Sequence, residues 1–146
     1  MEWQELKNSF TMAKVELSES IEEALTEFCQ HIKEHVIPKN DGVAWDCLRI
    51  EFWADSGRII AFPSSTSKPY RIEKAGCQVV FADLLAQYEH LADSDLDDAA
   101  FVDALLGVER EWIKKMLDAA RHVSLTGNRF QFWDGEGECP IWEKQL

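Results

Sequence analysis

Two histidines one helical turn apart form the chain's nearest match to a catalytic motif. His31, Glu34 and His35 fit the pattern H-x-x-E-H, in which two helix histidines bind zinc and the glutamate transfers a proton. A catalytic zinc normally has a third protein ligand, and no spacing selects one here, although Cys29 could add a ligand. The motif stands just before Pro38, where two histidines also interact favourably with the end of a helix dipole. We therefore expect no metal and no catalytic residue here.

A run of aspartates is the second candidate site. Asp93, Asp95 and Asp97 match positions 1, 3 and 5 of an EF-hand loop. Positions 6 and 12 hold Asp98 and Ala104, so the glycine that makes the sharp turn and the bidentate glutamate are both missing. Two interpretations remain. The run is either a solvated loop in which Asp97 or Asp98 caps the next helix, or an acidic patch that binds a partner.

The distribution of charge favours a basic partner. The 146 residues carry 27 acids and 15 bases, a formal net charge of −12, and no Lys or Arg stands between Lys74 and Arg110. Phosphate binding needs clustered Lys and Arg, so this balance argues against nucleic acid or an anionic membrane as the direct ligand. A surface of one sign can steer a cationic protein, although solubility alone also explains it. The interval contains eight carboxylates: Asp83, Glu89, Asp93, Asp95, Asp97, Asp98, Asp103 and Glu109.

Tryptophan is abundant, with six residues in the chain. Trp53 and Trp133 fall on predicted strands, where an exposed indole can anchor a protein interface. Core packing is the alternative for both side chains. We predict a partner-binding site in which these two tryptophans hold the partner and aspartates steer it, the aspartates being Asp93, Asp95, Asp97, Asp98 and Asp103.

The elements that would position these residues follow from hydrophobic periodicity. Apolar residues every three or four positions predict one long helix over residues 6–36, and Ser20 with Glu23 offers a capping box that would instead divide it. Alternation over residues 48–54, a turn at residues 55–57 and a second apolar run predict a β-hairpin. Residues 69–72 predict a short third strand. Helical spacing returns twice, from Val80 to Leu91 and from Phe101 to Val123, before a closing aromatic strand or hairpin.

This order of elements predicts one α+β domain over residues 1–146. We expect an antiparallel sheet of about four strands, packed against the long N-terminal helix and two later helices. The four cysteines form no C-x-x-C pair, and the N-terminus lacks a secretory signal, so reduced thiols and a cytoplasmic location are expected.

The order also resembles that of the small YezG-type immunity proteins of bacterial toxin systems. The similar features span most of the chain: a helix ending at residues 36–38, Trp45 leading into residues 48–54, the turn at 55–57, a second strand, a helix over 79–92 and an aromatic strand over 129–133. The resemblance implies neutralisation of a toxin by binding in the cytoplasm. It transfers no catalytic residue to this chain.

We therefore expect a non-enzymatic acidic binding protein, an immunity protein or inhibitor that occludes a basic protein such as a nuclease toxin, without a cofactor. Two alternatives remain open. One is a small zinc-dependent hydrolase that uses His31 and His35, and the other is a structural or adaptor domain.

Overall fold

The computed structural model describes residues 13–14, 20–37, 46–64, 76–135, 137 and 140–146. In these residues the chain forms three α-helices and a mixed sheet. Five strands have four to seven residues, and a sixth, β1, has only two. The strands are β1 (Ala13–Lys14), β2 (Cys47–Trp53), β3 (Arg58–Ser64), β4 (Cys77–Val80), β5 (Arg129–Asp134) and β6 (Trp142–Gln145). The helices are α1 (Ile21–His31), α2 (Ala82–Ala92) and α3 (Asp98–His122).

The prediction of a long N-terminal helix is wrong. Ala13–Lys14 pair with β4 as a strand, and α1 begins only after its N-cap residue, Ser20. The Ser20 side chain makes no capping hydrogen bond, so the predicted capping box marks the boundary without its usual contact. A π-helical turn, Ile32–Val36, extends α1. The remaining parts of the predicted helix, residues 6–12 and 15–19, lie outside the described residues, as does the predicted strand at 69–72.

The α+β class is confirmed, but the prediction of an antiparallel sheet of about four strands is wrong, because the sheet is mixed and larger. The strand order is β1-β4-β3-β2-β5-β6, in which β1 runs parallel to β4 and β2 runs parallel to β5. The other neighbours, β2 with β3, β3 with β4 and β5 with β6, are antiparallel. Each parallel pair joins segments that are distant in the sequence. Such pairing leaves no local sequence pattern, so it could not be predicted from periodicity.

The predicted hairpin is confirmed. β2 and β3 pair from Cys47 opposite Ser64 to Trp53 opposite Arg58. A short 3-10 turn, Ala54–Ser56, and Gly57 connect them. Gly57 has φ of 69°, and a Cβ there would lie 2.7 Å from the carbonyl oxygen of Phe81, so both backbone angle and space require glycine.

The hydrophobic core lies between one face of the sheet and the helices. Phe52, Phe130 and Phe132 from the sheet and Phe28 and Trp112 from the helices are almost completely buried. Phe52 and Phe132 stack with ring centroids 6.3 Å apart. The longest helix is α3, near the C-terminal end of the chain. No helix among the described residues is long and apolar enough to cross a bilayer.

Candidate functional site

A cleft of about 110 Å³ opens where β2 and β5 end. Phe52 and Asp134 are register partners at the end of this parallel pair, and the Gly135 amide donates to the Phe52 carbonyl oxygen at 2.8 Å. The side chains at the ends of β2 and β5 therefore lie side by side at the cleft. The cleft is lined by residues from this end of the sheet and from both later helices: Phe52, Trp53, Ala54, Asp55, Tyr88, Phe101, Leu105, Asp134 and Gly135.

Trp53 forms the wall of the cleft on the sheet side. Its Nε1 donates to Glu51 Oε1 at 3.1 Å, and its ring lies flat enough against Gly135 that a Cβ there would come within 2.7 Å of three ring carbons. Glu51 is itself buried and accepts from Arg49 Nε at 2.7 Å. The indole is thus positioned by a buried carboxylate at one edge and by a glycine at its face.

Two helices supply the opposite wall. Tyr88 of α2 and Phe101 of α3 make an edge-to-face contact with ring centroids 5.8 Å apart, and Leu105 follows one turn later. All three side chains are half-buried. The faces of these aromatic rings carry partial negative charge, so this wall attracts cations as well as apolar groups.

Carboxyl groups surround the aromatic walls. Asp55 is exposed and Asp134 is half-buried, and both line the cleft. Glu109 lies one turn beyond Leu105 on α3, is 0% exposed, and receives no hydrogen bond at either oxygen from the described residues. Burial above all, and the proximity and charge of Asp134, raise the pKa of Glu109 to about 9. At neutral pH, Glu109 therefore carries a proton, and its neutral carboxyl group lies near Asp134.

The predicted steering aspartates lie on a continuous stretch of chain beside this cleft. Asp93, Asp95, Asp97, Asp98 and Asp103 are all exposed. Asp97 is the N-cap of α3, and its Oδ1 accepts from the Ala100 amide at 2.8 Å, as one of the two interpretations of the loop proposed. The same helix contributes Phe101 and Leu105 to the cleft, so α3 links the aspartates with the aromatic wall.

The two predicted tryptophan anchors have different surroundings. Trp53 lines the cleft, whereas Trp133 is covered by the guanidinium of Arg49, whose Cζ is 3.7 Å from the centroid of the Trp133 ring. Both are half-buried. The structure therefore joins Trp53 with the cleft and leaves Trp133 outside its lining.

Sequence reasoning missed Glu109, Asp134, Tyr88 and Phe101 as members of one site. Glu109 was grouped with the surface acids, and that assignment is wrong. A signal was available, because residue 109 stands four positions after Leu105 and three before Trp112, on the buried side of the helix. No local signal brings Asp134 to that side chain.

The histidine motif falls in the last turns before residue 37. His31 and His35 have ring centroids 4.6 Å apart, and residues 32–36 are π-helical, with Ile37 N bonded to Ile32 O at 3.1 Å. Within the ranges that the structure describes, no three His, Cys, Asp or Glu side chains are grouped so that they could hold a metal ion.

The three cysteines of the described chain are buried free thiols. Burial raises the pKa of Cys29 and Cys77 to about 12 and, together with Asp46, that of Cys47 to about 11. They remain protonated at neutral pH and are therefore poor nucleophiles.

Comparisons of the chain with protein families, with curated proteins and with solved structures found no match.

Proposed function

We propose that this chain is a non-enzymatic acidic binding protein, an immunity protein or inhibitor that occludes a basic protein such as a nuclease toxin. One observation carries the proposal: from α2 through the start of α3 the chain exposes seven carboxylates and contains no Lys or Arg. We use the term acidic surface for these seven exposed carboxylates: Asp83, Glu89, Asp93, Asp95, Asp97, Asp98 and Asp103.

The acidic surface is suited to capturing a cationic protein. Its charges are held by two helices and the short loop between them, and the Asp97 cap fixes the start of α3. In physiological salt the field of such charges extends about 8 Å, which biases the orientation of an approaching basic protein. Charges of this kind act mainly on the association rate, because they remain solvated in the complex.

Two exposed apolar side chains belong to the same stretch of chain as the acidic surface. Leu96 is 42% exposed and Val102 is 53% exposed. A polar rim with apolar residues at its centre is the usual anatomy of a protein interface. These side chains could therefore hold a partner that the carboxylates have oriented.

The described cysteines do not support a mechanism with a cysteine nucleophile. Each described cysteine has a pKa of about 11 or 12 and lies inside the core, so none presents a thiolate to a substrate.

The test is the kinetics of association with the partner. The tagged chain is used to isolate its partner from the source cells, and purified partner is mixed with it in a stopped-flow instrument at two ionic strengths. We expect a basic partner whose association slows as salt is added. Changing Asp93, Asp95, Asp97 and Asp98 to Asn should slow association about tenfold at low salt while changing the dissociation rate less, because it removes the steering charge. The helix should remain intact, since asparagine is also a good N-cap residue.

A matched control removes four exposed acids from outside the acidic surface. It carries Glu23→Gln, Glu34→Gln, Glu111→Gln and Asp118→Asn, so both variants lose the same net charge. The proposal predicts near-normal association for this control. An acidic partner, or equal slowing of the two variants, would show that the acidic surface does not direct capture.

A further inference from the structure

We propose that the cleft binds the guanidinium group of an arginine side chain, placed against the aromatic wall and paired with the Asp134 carboxylate. The inference rests on the proposed function only for the source of that arginine, which is a basic partner protein. The chemistry of the site follows from the cleft itself.

The dimensions of the cleft fit one side chain. Its volume of about 110 Å³ is well below the roughly 300–1,000 Å³ of pockets that hold drug-sized ligands. Trp53 forms one wall, and Tyr88, Phe101 and Leu105 form the other. A long side chain can place its methylene groups against Leu105 and its charged end against the rings.

The charged side chains that line the cleft are acidic, Asp55 and Asp134. No Lys or Arg is present among the described residues that line it. Glu109 near Asp134 is completely buried, and neither of its oxygens has a hydrogen-bond partner among the residues described. The carboxyl oxygens of Asp134 can accept hydrogen bonds from a ligand, and a guanidinium offers five donors in a plane.

A guanidinium fits this arrangement better than an ammonium group. A planar cation can stack on an aromatic face while its edge bonds a carboxylate, whereas a lysine ammonium is a compact, strongly hydrated charge. The fold already contains one such arrangement: Arg49 stacks 3.7 Å from the centroid of Trp133, and its Nε donates to Glu51 at 2.7 Å. Trp53 and Asp134 present the same two kinds of group to the cleft.

The test uses a small probe, so it does not depend on knowing the partner. Nα-acetyl-L-arginine amide is titrated into the ¹⁵N-labelled full chain, and the Trp53 indole N–H and the Gly135 amide are followed by NMR. We expect saturable shifts of these two signals, with little change at the indole of Trp142, which is 44% exposed and does not line the cleft. The citrulline analogue has nearly the same shape without the charge, and it should bind at least tenfold more weakly.

Three variants connect binding with the site. Asp134→Asn should weaken binding of the arginine probe about tenfold, the size expected when a charge-assisted hydrogen bond is lost. Phe101→Leu keeps an apolar side chain of similar size but removes an aromatic face, and it should weaken binding about threefold. Asp118→Asn is the matched control, because it removes one exposed acid from α3 outside the cleft, and it should bind like the unchanged chain. Phe101→Leu also keeps the test decisive if Asp134→Asn does not fold.

Several results would overturn the inference. They are equal binding of the citrulline analogue or of Nα-acetyl-L-lysine amide, wild-type affinity in both cleft variants, and equal weakening by Asp118→Asn. A chain that captures its basic partner with salt-sensitive kinetics but does not bind the arginine probe would overturn this inference and leave the proposed function standing.

Discussion

Replacing Glu109 by Gln should remove a loss of folding stability that the wild-type chain shows as the pH rises. In the folded chain the pKa of Glu109 is about 9, against an ordinary value of 4.5. Between these values the folded state holds one proton more than the unfolded state, so the free energy of unfolding falls as pH rises. The stability that this group contributes is therefore present at acidic pH and is lost as the pH approaches 9.

The magnitude follows from the linkage relation. One proton of difference changes the free energy of unfolding by about 1.4 kcal/mol per pH unit. From pH 6 to pH 8 the wild-type chain should therefore lose about 3 kcal/mol through Glu109. Solvent does not screen this effect, because the side chain is completely buried. Glutamine has the shape of a protonated glutamate and does not ionise in this range, so its contribution to stability does not change with pH.

The assay is urea unfolding of wild type and Glu109→Gln at pH 5, 6, 7 and 8. The quantity to compare is the difference between the two unfolding free energies, since other titrating groups cancel from it. We expect this difference to move in favour of the variant by about 3 kcal/mol between pH 6 and pH 8.

Glu111→Gln is the control for this measurement. Glu111 lies two residues further along the same helix, is 65% exposed, and pairs with Lys114 at 3.3 Å. An exposed pair of this kind contributes about 0–1 kcal/mol, so this variant should follow wild type at every pH. The reasoning is refuted if the difference between wild type and Glu109→Gln does not change with pH, or if it moves in favour of wild type as pH rises.

Three further predictions concern the fold and the motif. Gly135→Ala should displace the Trp53 indole packed against it and lower the free energy of unfolding in urea by about 1–3 kcal/mol. Its control is Gly107→Ala, whose new methyl group meets open space within a helix, and this variant should be neutral or more stable by up to about 1 kcal/mol. Phe52→Ala should cost about 3–5 kcal/mol, because the ring is completely buried; a loss below about 1 kcal/mol would contradict its place in the core. Untagged protein should contain no stoichiometric zinc at His31 and His35, and one tightly held zinc that His31→Ala removes would restore the hydrolase alternative.

The sequence by itself determined the elements whose signals are local. The β2–β3 hairpin follows from alternation on either side of a turn that ends in Gly57, and α3 follows from a long apolar stripe with an aspartate cap. In each case the residues that carry the signal contact one another or lie on one face of a single element. The exposure of the aspartates from Asp93 to Asp103 was also predictable, because a run of like charges is itself a local signal.

Hydrophobic periodicity alone assigns two short segments to helices although both are strands. Apolar residues recur at helical spacing through Ala13 and Lys14, yet these residues pair with β4. Val80 begins a helical pattern but ends a strand that pairs with β3. Hydrogen bonds to a neighbouring strand decide the conformation of such short segments, and the neighbour is more than sixty residues away in the first case.

Only the tertiary structure decided the architecture of the cleft. The parallel pairing of β2 with β5 places Asp134 beside Phe52, although about eighty residues separate them. The packing of α3 on the sheet then takes Glu109 out of water and brings it to Asp134, which turns one of eight similar carboxylates into a protonated, buried group. A sequence records that a residue can ionise, but its burial and its charged neighbours are set by segments that meet only in the folded chain.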